Sequence, residues 1–389
     1  MDRRRIAAFL AGAAAFVPLY SPQSLLPLLR SWVGHDAFLA GLIISAGTFG
    51  VAVAAPFIGL FADRLGRRRV IVLASFSAVV PTLLAALSPS VHWLIAFRFL
   101  EGLTLPAIFA VTVAYVNEEW PAHDARAVTG LYVAGTIMGG FSGRFLSGVV
   151  AEFLGWRFGF VALALTQLLL AVLIFRWLAP DRPRLPRPAG TQPKLWTLLR
   201  MPQLRSAYAA GFSLLFALVA GFTYISLRLA EPPFDLGPGG LSMIFTVYLV
   251  GVMITPVSGR LLNAFGHARV LSGAWTVAVA GLVLTTLPWL AAVVLGLTLF
   301  SAGLFVAQTT VTSFVGEAVP QARGAAIGLY VTCYYLGGSV GGILPAPLWT
   351  HFGWPGVVVL IAMTAALSVQ LGRRAFRVPQ PARVAGETQ

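Results

Sequence analysis

Three ionisable side chains interrupt long apolar stretches of the sequence. Arg98 and Glu101 lie in the run Val91–Val116, and Arg144 lies in the run Ala127–Phe153. If both runs are membrane-crossing helices, a rise of 1.5 Å per residue places the three charges about 10 to 15 Å from the same face. Charges in hydrocarbon are costly and usually face a partner or a water-filled cavity. We therefore predict that Arg98 and Arg144 flank Glu101, and that protonation of Glu101 would release one arginine and change the charge of a cavity.

Polar and aromatic side chains at a similar depth are candidates for the lining of that cavity. Pro22 and Pro27 interrupt the apolar run Ile6–Leu29 and free backbone carbonyl groups there, so neighbouring polar groups can face a cavity. Each candidate taken alone is also explained as an ordinary packing or interfacial residue. The candidates are Tyr20, Gln23, Tyr224, Gln308, Tyr334 and Tyr335. Arg228 and Glu231 lie at the outer end of the apolar run Tyr208–Ala230. They either form a gate there or are ordinary interfacial residues.

The sequence predicts no catalytic site, no metal site and no cofactor. Its His residues lie in loops or near the ends of apolar runs, without metal-ligand spacing or a catalytic triad. The single cysteine, Cys333, excludes an internal disulfide and is expected to be a packing thiol. No Walker lysine motif is present, so we do not expect ATP to drive the protein. The His residues are His35, His92, His123, His267 and His351.

The composition indicates the elements that hold these residues. Of 389 residues, 58% are hydrophobic and 10% charged, whereas a soluble domain has roughly 25% charged residues. The length accommodates twelve helices of about 20 residues with short connections, so the predicted fold class is an all-α membrane protein with twelve transmembrane helices. The predicted spans are Ile6–Leu29, Leu39–Ala62, Val70–Ser88, Val91–Val116, Ala127–Phe153, Phe158–Leu178, Tyr208–Ala230, Leu241–Ala264, Val270–Pro288, Ala291–Val315, Ala325–Trp349 and Val357–Leu371.

The positive charge predicts orientation and domain organisation. The net charge is +14, but the basic residues lie in alternate loops between spans and not on one soluble face, so we do not expect nucleic acid to bind. Most of them fall on the side of the termini, which predicts that both termini are cytoplasmic. The basic, proline-containing segment 179–206 is the predicted linker. It separates six-helix bundles at 1–178 and 207–372, and 373–389 is a predicted cytoplasmic tail.

The two predicted bundles are related by an internal repeat. Gly130–Val133 recurs as Gly328–Val331, and Gly155-Trp156 recurs as Gly353-Trp354. Arg144 has no charged counterpart, because Gly342 stands at the equivalent position. A repeat in the same direction fits six spans per half, with the charges concentrated in the first half.

A conspicuous motif lies between the second and third spans, and it contains Gly59, Asp63, Arg64, Gly66, Arg67 and Arg68. Small residues permit a tight turn there, and Asp63 can accept hydrogen bonds from a neighbouring helix N-terminus or from arginine. The motif resembles the signature of the major facilitator superfamily. The resemblance, with the duplicated halves, covers nearly the whole chain and implies a cytoplasmic gate that stabilises the outward-facing state. The gate candidates are Gly59, Asp63, Arg64, Gly66, Arg67 and Arg68, with a degenerate second copy at Gly259, Asn263, Gly266 and Arg269.

Two further motifs resemble the proton-antiporter branch of that family. Arg98–Gly102 is similar to its motif in the fourth span, and Gly135–Gly140 is similar to its glycine-rich motif in the fifth, although the usual proline is missing. The same glycines are also explained by helix packing, because small residues let backbones approach closely. The predicted packing glycines are Gly102, Gly135, Gly139, Gly140, Gly337 and Gly338.

The resemblance implies a bacterial permease of the drug or sugar-efflux type in the cell inner membrane. Its partners would be a small-molecule substrate, protons and membrane lipid, and a monomer is the family expectation. A facilitator or uptake permease of the same fold is the alternative, and a static ion cluster is the alternative role for the buried charges. A membrane enzyme would need a catalytic constellation, and the sequence shows none. A scaffold or receptor would have no use for costly buried charges.

Overall fold

The computed structural model describes residues 2–181, 195–319 and 322–376, and helices joined by turns make up those ranges. The helices are α1 (Arg3–Phe16), α2 (Pro22–Trp32), α3 (Ala37–Ala54), α4 (Ile58–Leu65), α5 (Arg67–Ala86), α6 (Val91–Glu119), α7 (Ala122–Leu154), α8 (Trp156–Trp177), α9 (Leu195–Arg200), α10 (Pro202–Leu229), α11 (Pro238–Ile244), α12 (Val250–Leu284), α13 (Leu290–Ala318), α14 (Arg323–Ile343) and α15 (Ala346–Phe376), with a 3₁₀ helix at Phe245–Leu249.

These helices make twelve passes. Within the described ranges, nine continuous helical segments are long and apolar enough to cross a membrane. One of them, Pro238–Leu284, contains two passes because the backbone turns at Gly266. The pair α1 and α2 and the 33-residue α7 supply the remaining two passes. The predicted all-α fold with twelve spans in two six-helix halves is confirmed.

Of the five described glycines with positive φ, four make sharp turns between consecutive passes as repeat-related pairs, and the fifth, Gly34, lies between α2 and α3. Gly66 and Gly266 have φ values of 89° and 73°, and Gly155 and Gly353 have φ values of 84° and 61°. A side chain strains the backbone at such angles, so glycine is the residue that permits these turns. The repeat read from the sequence therefore corresponds to the same backbone turns in both halves.

The first span differs from its prediction, because it is two helices and not one. α1 ends at Phe16 and α2 begins at Pro22. Pro18 and Pro22 each lack an N–H group, so the regular hydrogen-bond ladder is interrupted between the helices. The backbone carbonyl groups at the break need other donors, which the candidate functional site supplies.

Small residues bring the helices of each half together. A Cβ atom on Gly135 or Gly139 would meet the α1 backbone at Phe9 or Ala13, and one on Gly337 would meet the α10 backbone at Phe212. Gly102 approaches the backbone of Gly47 in the same way, and Gly338 faces the side chains of Leu215 and Val219. Gly140 differs from its predicted packing role, since its nearest contact is the Arg144 side chain and its carbonyl accepts a hydrogen bond from that residue.

The halves pack against each other at one end of the bundle, which we call the closed end. The backbones of Gly41 on α3 and Gly342 on α14 lie in direct contact. The Ser45 hydroxyl donates to the Ser339 carbonyl at 2.6 Å, and the Thr48 and Ser339 hydroxyls lie 3.2 Å apart. These short contacts form a seam between the halves.

Polar groups also join the halves at the closed end. Arg30 of the first half forms an ion pair with Glu231 of the second at 2.8 Å. The Gly239 N–H group donates to Glu152 across the halves at 2.8 Å. Arg228 instead donates to the carbonyl oxygens of Thr286 and Leu287 within its own half. Of the two candidates Arg228 and Glu231, Glu231 joins the halves.

The predicted linker is only partly described. Its residues 182–194 lie outside the described part of the chain, as do the tail residues 377–389. The described part of the linker contains α9, and α10 begins at Pro202, before the predicted start of the seventh span.

The α1–α7 crossing predicts different effects for two alanine substitutions on one helix. Gly139→Ala should destabilise the protein by about 1 to 3 kcal/mol, because the new methyl group overlaps the α1 backbone. Gly130→Ala is the matched control, since no atom lies within 4 Å of the added Cβ and alanine favours a helix. Unfolding of both purified variants in detergent measures the difference. Equal stabilities would contradict the close crossing.

Candidate functional site

The structure forms an ion pair between Arg98 and Glu101 in the interior of the first half. Both side chains have no exposed surface, and one Arg98 nitrogen donates to Glu101 Oε1. Their spacing of three residues on α6 brings them to one side of the helix. Thr82 Oγ1 on α5 donates to the other carboxylate oxygen at 3.2 Å. The pair is therefore buried, with Glu101 held from two helices.

Arg98 also satisfies the backbone where the first span breaks. Its Nη1 donates to the Pro18 carbonyl at 3.0 Å and its Nη2 donates to the Leu19 carbonyl at 2.5 Å. Unsatisfied carbonyl groups in a membrane cost several kcal/mol each. Of the three guanidinium nitrogens of Arg98, Nε alone is without a hydrogen-bond partner. Arg98 thus joins α6 to the break between α1 and α2, and Glu101 balances its charge.

Arg144 lies elsewhere, and the expectation that it flanks Glu101 is wrong. Its Nε donates to Gln23 Oε1 at 2.9 Å and its Nη1 donates to the Gly140 carbonyl at 2.6 Å. In the described part of the chain it forms no ion pair with a carboxylate, and its Nη2 has no hydrogen-bond partner. Arg144 faces α2 and the second half, whereas Glu101 faces α5. Arg144 and Glu101 therefore face different neighbours, although the sequence predicts a similar depth for both.

Three aromatic rings surround the Arg144 guanidinium, and we call them the aromatic cage. Its Cζ lies 5.0 Å from the ring centroid of Tyr20, 5.0 Å from that of Phe245 and 4.6 Å from that of Tyr248. These distances are typical of cation–π interactions. Tyr20 belongs to the first half and the other two rings belong to the second. The cage therefore spans the interface between the halves.

Further aromatic rings continue the interface. The Phe109 and Tyr335 rings stack at 5.8 Å, and the Tyr334 and Tyr335 rings meet edge to face at 5.5 Å. The sequence identified both of these tyrosines but missed Phe109 and the two second-half cage residues. Uncharged aromatic residues in an apolar span carry no signal that separates lining from packing.

The remaining cavity candidates have different positions. Gln23 Nε2 donates to Thr223 Oγ1 on α10 at 3.2 Å, so this residue links Arg144 to the second half. The Tyr224 hydroxyl donates to the Gly342 carbonyl at 2.9 Å, which places it in the seam and not among the rings around Arg144. Gln308 is half-buried on α13.

The gate motif lies at the end of the bundle opposite the closed end. Asp63 is 61% exposed, and its Oδ1 lies 3.9 Å from an Arg67 nitrogen. Arg67 also forms a closer, two-point ion pair with Glu118 of α6. Arg64 is exposed, and in the second copy Asn263 and Arg269 are exposed as well.

Another gate residue holds the end of the sixth span. The Arg68 side chain donates to the carbonyl oxygens of Phe175 at 2.8 Å and Leu178 at 2.7 Å, and its backbone N–H group donates to Asp181 at 3.0 Å. Glu118 and Asp181, which sequence reasoning missed, thus fix the motif within the first half. Gly59 and Gly259 have no atom within 4 Å of an added Cβ.

Two similar six-helix halves with buried charges and an aromatic-lined interface define a polytopic membrane transporter. The family model described as Major Facilitator Superfamily matches residues 6–342 and 232–388. The chain belongs to this superfamily.

Two curated relatives illustrate the range of similarity. The Inner membrane transport protein YnfM of Escherichia coli (strain K12) is 32% identical over 383 residues, covering 96% of this chain and 91% of that protein. The Multi-drug resistance efflux pump PmrA of Streptococcus pneumoniae serotype 4 is 25% identical over 353 residues, covering 88% of this chain and 87% of that protein. Both similarities extend over most of each chain.

Solved structures share the fold at lower identity. A crystal structure of the nucleoside transporter NupG, in a mutant form, matches with a TM-score of 0.78 and 13% identity, covering 96% of this chain and 100% of that chain. The human organic anion transporter MFSD10 matches with a TM-score of 0.73 and 18% identity, covering 95% and 98%. At these identities the likeness concerns the fold.

The buried ion pair predicts non-additive effects of substitution. Removing one member leaves an uncompensated charge and should cost about 3 to 5 kcal/mol, whereas removing both leaves none. We expect the Arg98→Met/Glu101→Met variant to lose less stability than the sum of the two single variants. Equilibrium unfolding in mixed micelles provides the double-mutant cycle. Strict additivity of the two losses would rule out the coupling.

Proposed function

We propose that the protein is a secondary active transporter that exports a small organic solute across the cell inner membrane, driven by protons. The observation that carries the proposal is the Arg98–Glu101 pair, because it attaches a protonatable carboxylate to the break in the first span. Glu101 is the only carboxylate among the described residues with no exposed surface. Buried ionisable groups inside membrane bundles commonly act in proton or substrate pathways.

A chain of contacts leads from Glu101 to the interface between the halves. Protonation would neutralise Glu101 and leave the Arg98 charge unbalanced beside the carbonyl groups of Pro18 and Leu19. Tyr20 and Gln23 follow in the chain, and both contact Arg144. A change at the break would therefore reach Arg144 through two residues of the first span. This is the coupling route that we propose.

Transport would proceed by alternating access. The two halves meet at the closed end through the seam and the Arg30–Glu231 ion pair. Substrate release at that end requires these contacts to separate, and the exposed Asp63 and Arg64 of the gate motif at the other end would then engage. We propose that the closed end is periplasmic and that both termini are cytoplasmic. The concentration of arginine on the side of the termini supports this orientation.

Export is the proposed direction. The efflux pump PmrA, with 25% identity over 353 residues, supports export of an organic solute. Two motifs in the fourth and fifth spans resemble those of proton antiporters. The alternative is a facilitator or an uptake permease of the same fold, in which a pH gradient would not drive export. We propose that the protein acts as a monomer in contact with membrane lipid.

Replacing Glu101 tests proton coupling. A screen of cells that lack or overproduce the protein, read by resistance and metabolite release, identifies a transported solute. In inside-out vesicles, Glu101→Gln should abolish accumulation driven by a pH gradient, because the side chain no longer binds and releases a proton. Exchange of labelled for unlabelled solute without a gradient should remain.

The control is Glu317→Gln, which makes the same change at a half-exposed side chain on α13 and should leave gradient-driven transport near the wild-type rate. Unchanged gradient-driven accumulation in Glu101→Gln, at a normal protein level, would contradict a role of Glu101 in proton coupling.

A reversible cross-link tests alternating access. The hydroxyl oxygens of Thr48 and Ser339 lie 3.2 Å apart across the seam, so cysteine side chains at these two positions would face each other across it. In a Cys333→Ser background, oxidation of Thr48→Cys/Ser339→Cys should stop transport and reduction should restore it. Each single cysteine variant serves as the control. Full transport by the quantitatively cross-linked protein would show that the seam does not open.

A further inference from the structure

Arg144 has an unbalanced charge. Its side chain has no exposed surface, no described carboxylate forms an ion pair with it, and its Nη2 is without a hydrogen-bond partner. Arg98, the other wholly buried arginine of the first half, has Glu101 as its counterion. A buried charge is stable only when it is well paired, so Arg144 lacks the partner that Arg98 has.

The groups around Arg144 satisfy it only in part. Gln23 and the Gly140 carbonyl accept one hydrogen bond each, the Tyr248 hydroxyl also interacts with the guanidinium, and the three cage rings supply cation–π contacts. All of these groups are neutral acceptors or rings. A guanidinium presents five N–H donors in a fixed fork that matches a carboxylate with two parallel hydrogen bonds. The missing partner thus has the chemistry of an anion.

The cage also indicates what accompanies the anion. Tyr20, Phe245 and Tyr248 offer ring surfaces, and Tyr334 and Tyr335 extend the aromatic interface. Flat apolar groups pack well on such rings, with favourable edge-to-face or offset contacts. A ligand that fits both features combines one anionic group with an aromatic or otherwise apolar body.

The position of the cage explains how Arg144 would be reached. One ring belongs to the first half and two belong to the second, so separation of the halves uncovers the guanidinium. Closure around a bound ligand brings both halves onto it. Access to the charge is therefore tied to the conformational cycle.

We propose that Arg144 binds the carboxylate of an organic acid and that the cage rings pack on its apolar body, which makes monoanionic organic acids the substrate class. This inference rests on the proposed transport function, whose solute it names by class.

The test measures ligand binding to the purified full-length protein in detergent, without any gradient. The probes are three carboxylates, each paired with its neutral amide: benzoate with benzamide, phenylacetate with phenylacetamide, and hexanoate with hexanamide. Benzylamine is the cationic control. At least one carboxylate should raise the melting temperature in a saturable manner, on the order of 2 to 4 °C, and its amide should not.

Variants assign the effect to one side chain. Arg144→Gln should lose the response to the carboxylate, and Arg144→Lys should need on the order of tenfold more ligand, because an ammonium lacks the planar fork. Arg157→Gln is the control. Arg157 also lies on aromatic rings, 4.3 Å from Trp156 and 5.6 Å from Trp32, but it is exposed at the closed end. The Arg157→Gln variant should respond to the carboxylate like the wild type.

Three results would overturn the proposal: no probe carboxylate stabilises the protein, an amide stabilises it equally, or Arg144→Gln keeps the full response. If Arg144→Gln does not fold, the amide comparison and Arg144→Lys still decide. Carboxylate binding with transport that ignores a pH gradient would contradict proton coupling alone. Proton-driven transport without carboxylate preference would contradict this inference alone.

Discussion

The break in the first membrane span is the constraint on which the site depends. In hydrocarbon, a backbone carbonyl without a donor is strongly unfavourable, because water does not replace the lost hydrogen bond. Arg98 supplies donors to two of the freed carbonyl groups, and Glu101 balances the charge that this brings into the interior. Because the break places Tyr20 and Gln23, the surroundings of Arg144 depend on a pair on a different helix.

The two halves share a backbone plan but use it for different chemistry. Both make their sharp turns at repeat-related glycines with positive φ, and both pack small residues against the first helix of the half. At the position equivalent to Arg144, Gly342 lets α14 touch α3 in the seam. The same place in the repeat therefore carries a charge in one half and a close backbone contact in the other.

The two halves therefore contribute different features to the site. The first half contains the buried ion pair and the unbalanced guanidinium, and the second contributes two of the three rings that enclose it. Neither half forms the cage alone. In the cycle that we propose, movement of one half against the other would change both the exposure of Arg144 and the width of the closed end, and this would couple binding to access.

The sequence by itself determined the spans, the glycine turns, the close packing of Gly135, Gly139 and Gly337, and the pairing of Arg98 with Glu101. These features are local or periodic, because they depend on hydropathy, on backbone conformation and on a spacing of three residues along one helix. Only the tertiary structure decided the partners of Arg144. Rise per residue gives depth, but the rotation of α7 about its axis results from packing against neighbours, so the predicted contact with Glu101 was wrong. The cage rings Phe245 and Tyr248 come from the other half, and their approach required that both halves fold and meet.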